Sequence, residues 1–352
     1  MVRLCLLIVT SLLVASSTSA PAQQPRLDVP LVTDEAEAVL AILEGRARGA
    51  QPDESAWRRL FTSEGYVRLK RRERSMGRSF EDSTFRRFVL SDTLTRRTAA
   101  LRATLESWKR LDPGDAARRA FLYLPASATI RARVYPVIKP RTNSFVFETR
   151  ENPAIFLYLD PAEPAAKFDN TLVHELHHIG TASVCPGEPT DSTLGVRINT
   201  ALAWMSGFAE GRAVLAAAGS PDVHPHAVSN AAQRAVWERH VARVDTDMRT
   251  MTQFFGRLLD GRISQSEQQQ IGMSFVATDT VPQGPFYTIG WLMSSVIERR
   301  LGRQQLVAST CDPRMFLRDY NRAATLENRA RTSALPQWPR DLIRRLNAGR
   351  NG

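Results

Sequence analysis

The stretch that most constrains this chain is Asn170-Thr-Leu-Val-His-Glu-Leu-His-His-Ile-Gly180, in which His174, Glu175 and His178 spell H-E-x-x-H. In a helix, residues four apart stand one turn above each other, so His174 and His178 present two imidazoles to one metal ion. Glu175, beside the first of them, then reaches a metal-bound water and takes its proton. Leu172, Val173, Leu176 and Ile179 give the helix apolar surface to bury. Asp169 or Asn170 reads as its N-cap and Gly180 as its close. The plainer alternative is a surface helix with a few histidines; the complete motif with its apolar backing favours a zinc site. His177 forms a second, i,i+3 pair with His174, but that pairing strands Glu175. His177 is therefore assigned to packing or to support of the ligands.

Two histidines need a third protein ligand, commonly a carboxylate from a second helix. Leu194 to Ala218 reads as a long helical stretch, and Glu210 is the only acid within it. Gly207 and Gly211 flank that acid and allow a neighbouring helix to come close. The competing reading pairs Glu210 with Arg212 or another arginine. Glu188 and Asp191, on the intervening polar loop, are weaker ligand candidates. Further on, Gly284-Pro-Phe-Tyr-Thr-Ile-Gly290 opens an apolar helix. The hydroxyl of Tyr287 there either stabilises an oxyanion or is that of a satisfied core tyrosine. His224 and His226 alternate around Pro225 with no third partner evident, and His240 reads as packing or surface.

The 352 residues suffice for one large domain or two small ones. Residues 1–22 read as a secretory signal: Arg3 supplies the positive region, Leu4 to Ala15 the apolar run, and Ala20-Pro-Ala22 a small-residue cleavage site. The run falls short of the roughly 20 residues of a spanning helix, so a secreted or periplasmic protein without stable membrane insertion is expected. Signal removal leaves Cys185 and Cys311. An oxidising compartment permits their pairing, but sequence does not give their separation. The net charge of +11 comes with only four lysines, Lys70, Lys109, Lys139 and Lys167. The arginines interleave with acids along helical segments, the pattern of solvated helix faces, and no basic stripe with stacking aromatics points to nucleic acid.

Residues 23–120 read as a helical N-terminal region. Thr33 to Leu43 carries a cap, early acids and helical apolar spacing, and Trp57, Leu60, Phe61, Val67, Phe85, Phe88, Leu94, Leu101, Leu105 and Trp108 continue at helix-compatible intervals. Phe121–Leu124, Thr129–Ile138, Asn143–Glu148 and Ala154–Leu159 are short, β-rich and punctuated by Pro136, Pro140 and Pro153, which predicts a small antiparallel or mixed sheet with proline-bearing strands at its edges. The strand Ile155–Leu159 is expected either to offer an open edge to an extended peptide or to be an ordinary packed strand. A long amphipathic helix is predicted over 227–259, and two more near Pro313–Ala324 and Pro339–Leu346. The fold class is α+β, predominantly helical.

His174, Glu175 and His178 with Glu210 resemble the gluzincin branch of the zincin metallopeptidases, to which thermolysin belongs. The wider pattern, a strand pair followed by His-Glu-Leu-His-His-Ile-Gly, Gly-Phe-Ala-Glu-Gly-Arg-Ala and Tyr-Thr-Ile-Gly, resembles exported bacterial zinc-dependent peptidases over about residues 121–325. The resemblance implies a zincin-like catalytic region over 121–330, followed by a C-terminal helix and tail over 331–352. It also implies Zn2+ on His174, His178 and Glu210, with Glu175 as general base. Two departures stand out. Thirty-one residues lie between His178 and Glu210, more than in thermolysin-like enzymes, and Val214 stands where those enzymes carry an acid that orients a histidine. The expected function is hydrolysis of peptide bonds in a peptide or protein substrate. A non-catalytic zincin-fold binding or scaffold protein, or a zinc hydrolase of non-peptide amides or esters, are the alternatives. Oligomeric state is not legible.

Overall fold

The computed structural model describes residues 26–185, 187, 193–277 and 283–348. The signal-like segment with Cys5, and the loop candidates Glu188 and Asp191, lie outside the described residues. Several helices begin on acids or capping side chains, although Thr33, ahead of the first, makes no side-chain cap hydrogen bond. Helix α1 (Asp34–Ala47) opens on Asp34, Glu35 and Glu37, acids suited to a helix N-terminus. Asp53 caps α2 (Glu54–Thr62) and Ser63 caps α3 (Glu64–Ser75) through their side-chain oxygens. Then follow α4 (Asp82–Val89), α5 (Asp92–Arg96) and α6 (Thr98–Lys109). Of the apolar residues expected to face inward here, Trp57, Leu60, Phe85, Leu94, Leu101, Leu105 and Trp108 are buried, whereas Val67 is exposed.

Phe121–Leu124 is not a strand. Asp112 caps a helix with proline in its first turn, α7 (Pro113–Phe121), and Ala116, Ala117 and Ala120 are buried along it. The helix carries through to Phe121, so local β-propensity loses to helix propagation and packing. Short strands β1 (Leu27–Asp28) and β2 (Ile130–Arg131) pair in parallel. The main sheet holds β3 (Arg133–Val137), β4 (Phe145–Phe147) and β5 (Ala154–Tyr158) in the order β3-β5-β4. β3 runs parallel to β5, with Val134 opposite Ile155, and β4 antiparallel to it, with Val146 opposite Ile155. The sheet is thus mixed, and its proline-bearing strand β3, with Pro136, lies at one side of it. β5 is the central strand rather than an open edge; among the described residues, the strand with one unpaired side next to it is β4.

The H-E-x-x-H helix α8 spans Ala165–Val184. It starts earlier than Asp169, after Pro164, because Ala165 and Ala166 are strong helix formers behind a residue of fixed φ. It also runs past Gly180, which does not close it. A Cβ there would lie 2.1 Å from Leu124 Cδ1, so this glycine serves close packing. Asp169 pairs instead with Arg119.

The expected helix over 194–218 is interrupted: α9 (Val196–Met205), one 3-10 turn (Ser206–Phe208) and α10 (Ala209–Ala218), closed by Gly219 at φ 81. Likewise 227–259 is two helices, α11 (Ala231–Val241) and α12 (Val244–Asp260). The rest comprises α13 (Gln265–Ser274), α14 (Pro285–Leu301), α15 (Arg303–Ala308), α16 (Pro313–Asn328) and α17 (Arg340–Asn347).

Two large hydrophobic cores result. The first joins α1–α7, the strands and the inner face of α8, so α1–α7 share a core with the sheet. The second joins α9, α10 and α12 to α14–α17, with Trp338 and Leu346 inside it. Cys185 and Cys311 are disulfide-bonded, with Cα atoms 5.2 Å apart, and tie the end of α8 to the segment before α16.

Candidate metal centre

α8 turns one face to the first core, burying Leu172, Val173, Leu176 and Ile179, and the other toward the second. Glu210 stands in the first turn of α10. Its approach is set by glycine: a Cβ on Gly211 would lie 2.0 Å from the backbone nitrogen of Trp291 and 2.4 Å from Gly290 Cα. α10 and α14 therefore cross backbone to backbone, next to Glu210 and within a turn of Tyr287. Gly207 makes a similar allowance for the Phe286 ring, 2.7 Å from its hypothetical Cβ. Asn170 Nδ2 donates to the Ala217 carbonyl at 3.0 Å, fastening α8 to the end of α10.

These contacts bring three donor atoms to one point. His174 Nε2 and His178 Nε2 are 3.0 Å apart, and each lies 3.2 Å from Glu210 Oε2. Tetrahedral ligands at zinc–ligand lengths of about 2.0–2.1 Å would be separated by roughly 3.3 Å. Neutral imidazole nitrogens and a carboxylate oxygen facing one another are all lone-pair bearers, so they need a shared proton or a cation between them. Among the described residues this is the one group of three or more His, Cys, Asp or Glu side chains spaced to hold a metal ion. The donor set fits zinc.

The electrostatics express the same demand. Burial raises the Glu210 carboxyl, but the two imidazoles outweigh burial and hold it well below the ordinary carboxylate range. Burial lowers His178, and the Glu210 charge reverses this, pushing the imidazole up to about 9. Glu175 is 9% exposed and lines the same cavity as His174. Burial raises its pKa, opposed by the charges of His174 and His178. A carboxyl so placed holds a proton more readily than a surface glutamate.

Tyr287 also reaches the centre. Its ring lies parallel to that of His174 with centroids 6.1 Å apart, and burial with the adjacent Glu210 carboxylate holds its hydroxyl protonated far above the ordinary tyrosine range. His177 stands apart. It is 1% exposed, burial pushes its imidazole well below 6.5, and its Nδ1 has no partner among the described residues. It is therefore a neutral packing residue rather than one of the converging donors. Arg212 does not pair with Glu210; it donates to the Ser309 carbonyl at 2.9 Å and lies over the Phe316 ring. His240 is half-buried, with Nδ1 3.2 Å from the Gln283 carbonyl.

The centre opens into a cavity of about 630 Å³, also lined by Lys167, Asn170, Thr171, Val214, Ala217, Pro225, His226 and Gln283. His226 bridges Ser229 Oγ and Gln283 Oε1, each at 3.0 Å, and burial pushes it down to about 4, so it is neutral at pH 7. His224 stays outside, half-exposed near Glu238. Sequence reasoning noted His226 only as half of a possible metal pair and passed over Lys167 and Thr171. Their signal was helical phase: 167, 171, 174 and 178 share one face of α8.

Residues 57–329 match the family DUF5700, described as "putative zinc dependent peptidase", and the chain belongs to that family. No curated protein and no solved structure matches the chain. The family is described as zinc-dependent, and the cofactor is Zn2+.

Proposed function

We propose, with membership of a zinc-dependent peptidase family as the premise, that this protein is an exported metallopeptidase of gluzincin type that cleaves peptide bonds. The observation that carries the reading is the convergence of His174 Nε2, His178 Nε2 and Glu210 Oε2 to 3.0–3.2 Å, with a buried carboxyl one residue from the first histidine. His174, His178 and Glu210 hold the metal. Zinc bound there supplies a Lewis acid that polarises a carbonyl and lowers the pKa of water.

The chain's own residues supply the remainder. Glu175, its pKa raised by burial, takes a proton at its carboxylate and returns it to the leaving amine. Tyr287 keeps its hydroxyl proton under all ordinary conditions and donates it as a hydrogen bond to the oxygen that gains charge. A mixed sheet ahead of the H-E-x-x-H helix, with antiparallel β4 at its rim, suits a zincin-like fold, and the unpaired side of β4 suits an extended peptide. Export is supported by the signal-like residues 1–22 and by the Cys185–Cys311 disulfide. No helix among the described residues is long and apolar enough to cross a membrane.

Metal content tests the reading first, measured on purified wild type, His178→Ala and Glu210→Ala. About one zinc per chain, lost in both variants, together with zinc-dependent cleavage of unfolded protein, is expected. Zinc retained in Glu210→Ala would reject the third ligand. Zinc bound without turnover on peptides or small amides would instead make the protein a scaffold.

A further inference from the structure

The cavity at the metal centre does not end at His174. A second open cavity, of about 530 Å³, lies along the N-terminal half of α8 and is lined by Ser144, Tyr158, Asp160, Glu163, Lys167 and Thr171 among others. Lys167 and Thr171 line both cavities, so the two lie side by side along α8, and Lys167 borders the cavity that His174, Glu175 and Tyr287 also line.

The charges along this cleft are unevenly engaged. Asp160 is paired with Arg97 at 3.3 Å, and Glu163 accepts from Gln233 Nε2 at 2.7 Å. His226, across the cleft, is neutral, and the nearby Lys167 charge helps to make it so. Lys167 is half-buried, and among the described residues its ammonium makes no hydrogen bond or ion pair; Glu163 is the one acid whose charge it feels appreciably. Burial lowers its pKa, the signature of a cation losing water without gaining a partner. An ammonium held this way in a partly desolvated cleft gains most from an incoming carboxylate.

We infer that Lys167 is a specificity-determining residue which binds a substrate carboxylate, so that this protein prefers peptides carrying an acidic side chain or a free C-terminus a short, fixed distance from the cleaved bond. The inference rests on the peptidase reading above. Its distance follows from α8: seven residues from Lys167 to His174 span on the order of 10 Å at 1.5 Å per residue. An extended peptide advances about 3.3 Å per residue, which puts the carboxylate roughly three residues from the scissile bond. Both sources offer the same group to Lys167, and they separate by experiment.

The test uses the full mature protein, zinc-loaded, with one internally quenched peptide whose cleaved bond has been located by mass spectrometry. Each position within four residues of that bond carries Glu or Gln in turn, and each peptide is made as free acid and as C-terminal amide. One position about three residues away should favour the carboxylate by about tenfold in kcat/KM, chiefly through KM, the worth of one charge-assisted hydrogen bond. Glu over Gln identifies a side chain; acid over amide identifies the C-terminus. Lys167→Met should flatten that ratio to within about twofold, and Lys167→Glu should shift the preference to a Lys-bearing peptide. A wild-type ratio near one at all positions, or a ratio that survives Lys167→Met, overturns the inference. Absence of cleavage of every peptide counts against the peptidase reading instead. Fluorescence anisotropy with the same intact peptides then decides, because carboxylate and amide forms binding the wild type equally overturns the role of Lys167, and a preference lost in Lys167→Met upholds it.

Discussion

The two halves of the candidate metal centre are held in different ways. His174 and His178 come from the first core, on a single helix whose own hydrogen bonds set their separation. Glu210 and Tyr287 come from the second core, on two helices that reach the site only because Gly211 and Gly290 let their backbones touch. The first half is thus a local structure, stable wherever α8 is a helix. The second is a product of packing, and small changes in side-chain volume far from the metal can move it. Chemistry is divided along the same line: the expected base Glu175 belongs to α8, and the expected oxyanion donor Tyr287 to α14.

Four substitutions probe this contrast. Glu175→Gln should lower kcat/KM about 10³-fold while leaving zinc content unchanged; full activity in that variant would remove Glu175 from the mechanism. Gly211→Val comes next, because its side chain must displace backbone rather than a flexible side chain. It should cost about 3 kcal/mol in denaturant unfolding and loosen zinc although neither histidine is touched. Gly180→Ala, whose Cβ meets side chains alone, Leu124 at 2.1 Å and Ile130 Cγ1 at 3.3 Å, should cost about 1 kcal/mol and keep zinc. Equal losses in the two glycine variants would dissolve the distinction between local and packed halves.

Tyr287→Phe should reduce kcat by roughly tenfold to a hundredfold with zinc retained and KM little changed. A purely structural tyrosine would instead lose stability without that kinetic signature.

A pH effect concerns the first core alone. Glu35 is buried at the start of α1, where its Oε2 accepts from Ile138 N at 3.0 Å and its Oε1 has no partner among the described residues. Burial pushes its carboxyl up to about 8 from 4.5. The folded state therefore holds a proton that the unfolded chain releases above pH 4.5. Stability from this group is complete below that value and declines, by about 1.4 kcal/mol per pH unit at most, until pH 8. Glu35→Gln should flatten unfolding free energy between pH 5 and 8; an unchanged slope would show that Glu35 is not its source.

Sequence showed the site more clearly than the fold around it. The H-E-x-x-H spacing, the apolar backing of α8 and the isolated acid at Glu210 were all legible, since each is a pattern within one element. Element limits were less so. Phe121–Leu124 has strand-like residues but follows a capped helix that absorbs its first residue, and Gly180, a helix-closing residue by type, stays inside α8 because Leu124 needs the space. Whether β5 was an open edge or a packed strand stayed undecided because nothing in its sequence reveals that β3 and β4 flank it.

What the sequence by itself determined is the helix and its two histidines, because a helical turn fixes residues four apart without help from the rest of the chain. Tertiary structure alone decided that Glu210 meets them rather than Arg212, that His177 is buried away from them, that Cys185 joins Cys311 and that Lys167 has no ion-pair partner among the described residues. Each of those depends on which backbones can approach, and that is settled by the volumes packed between the two cores rather than by any local pattern.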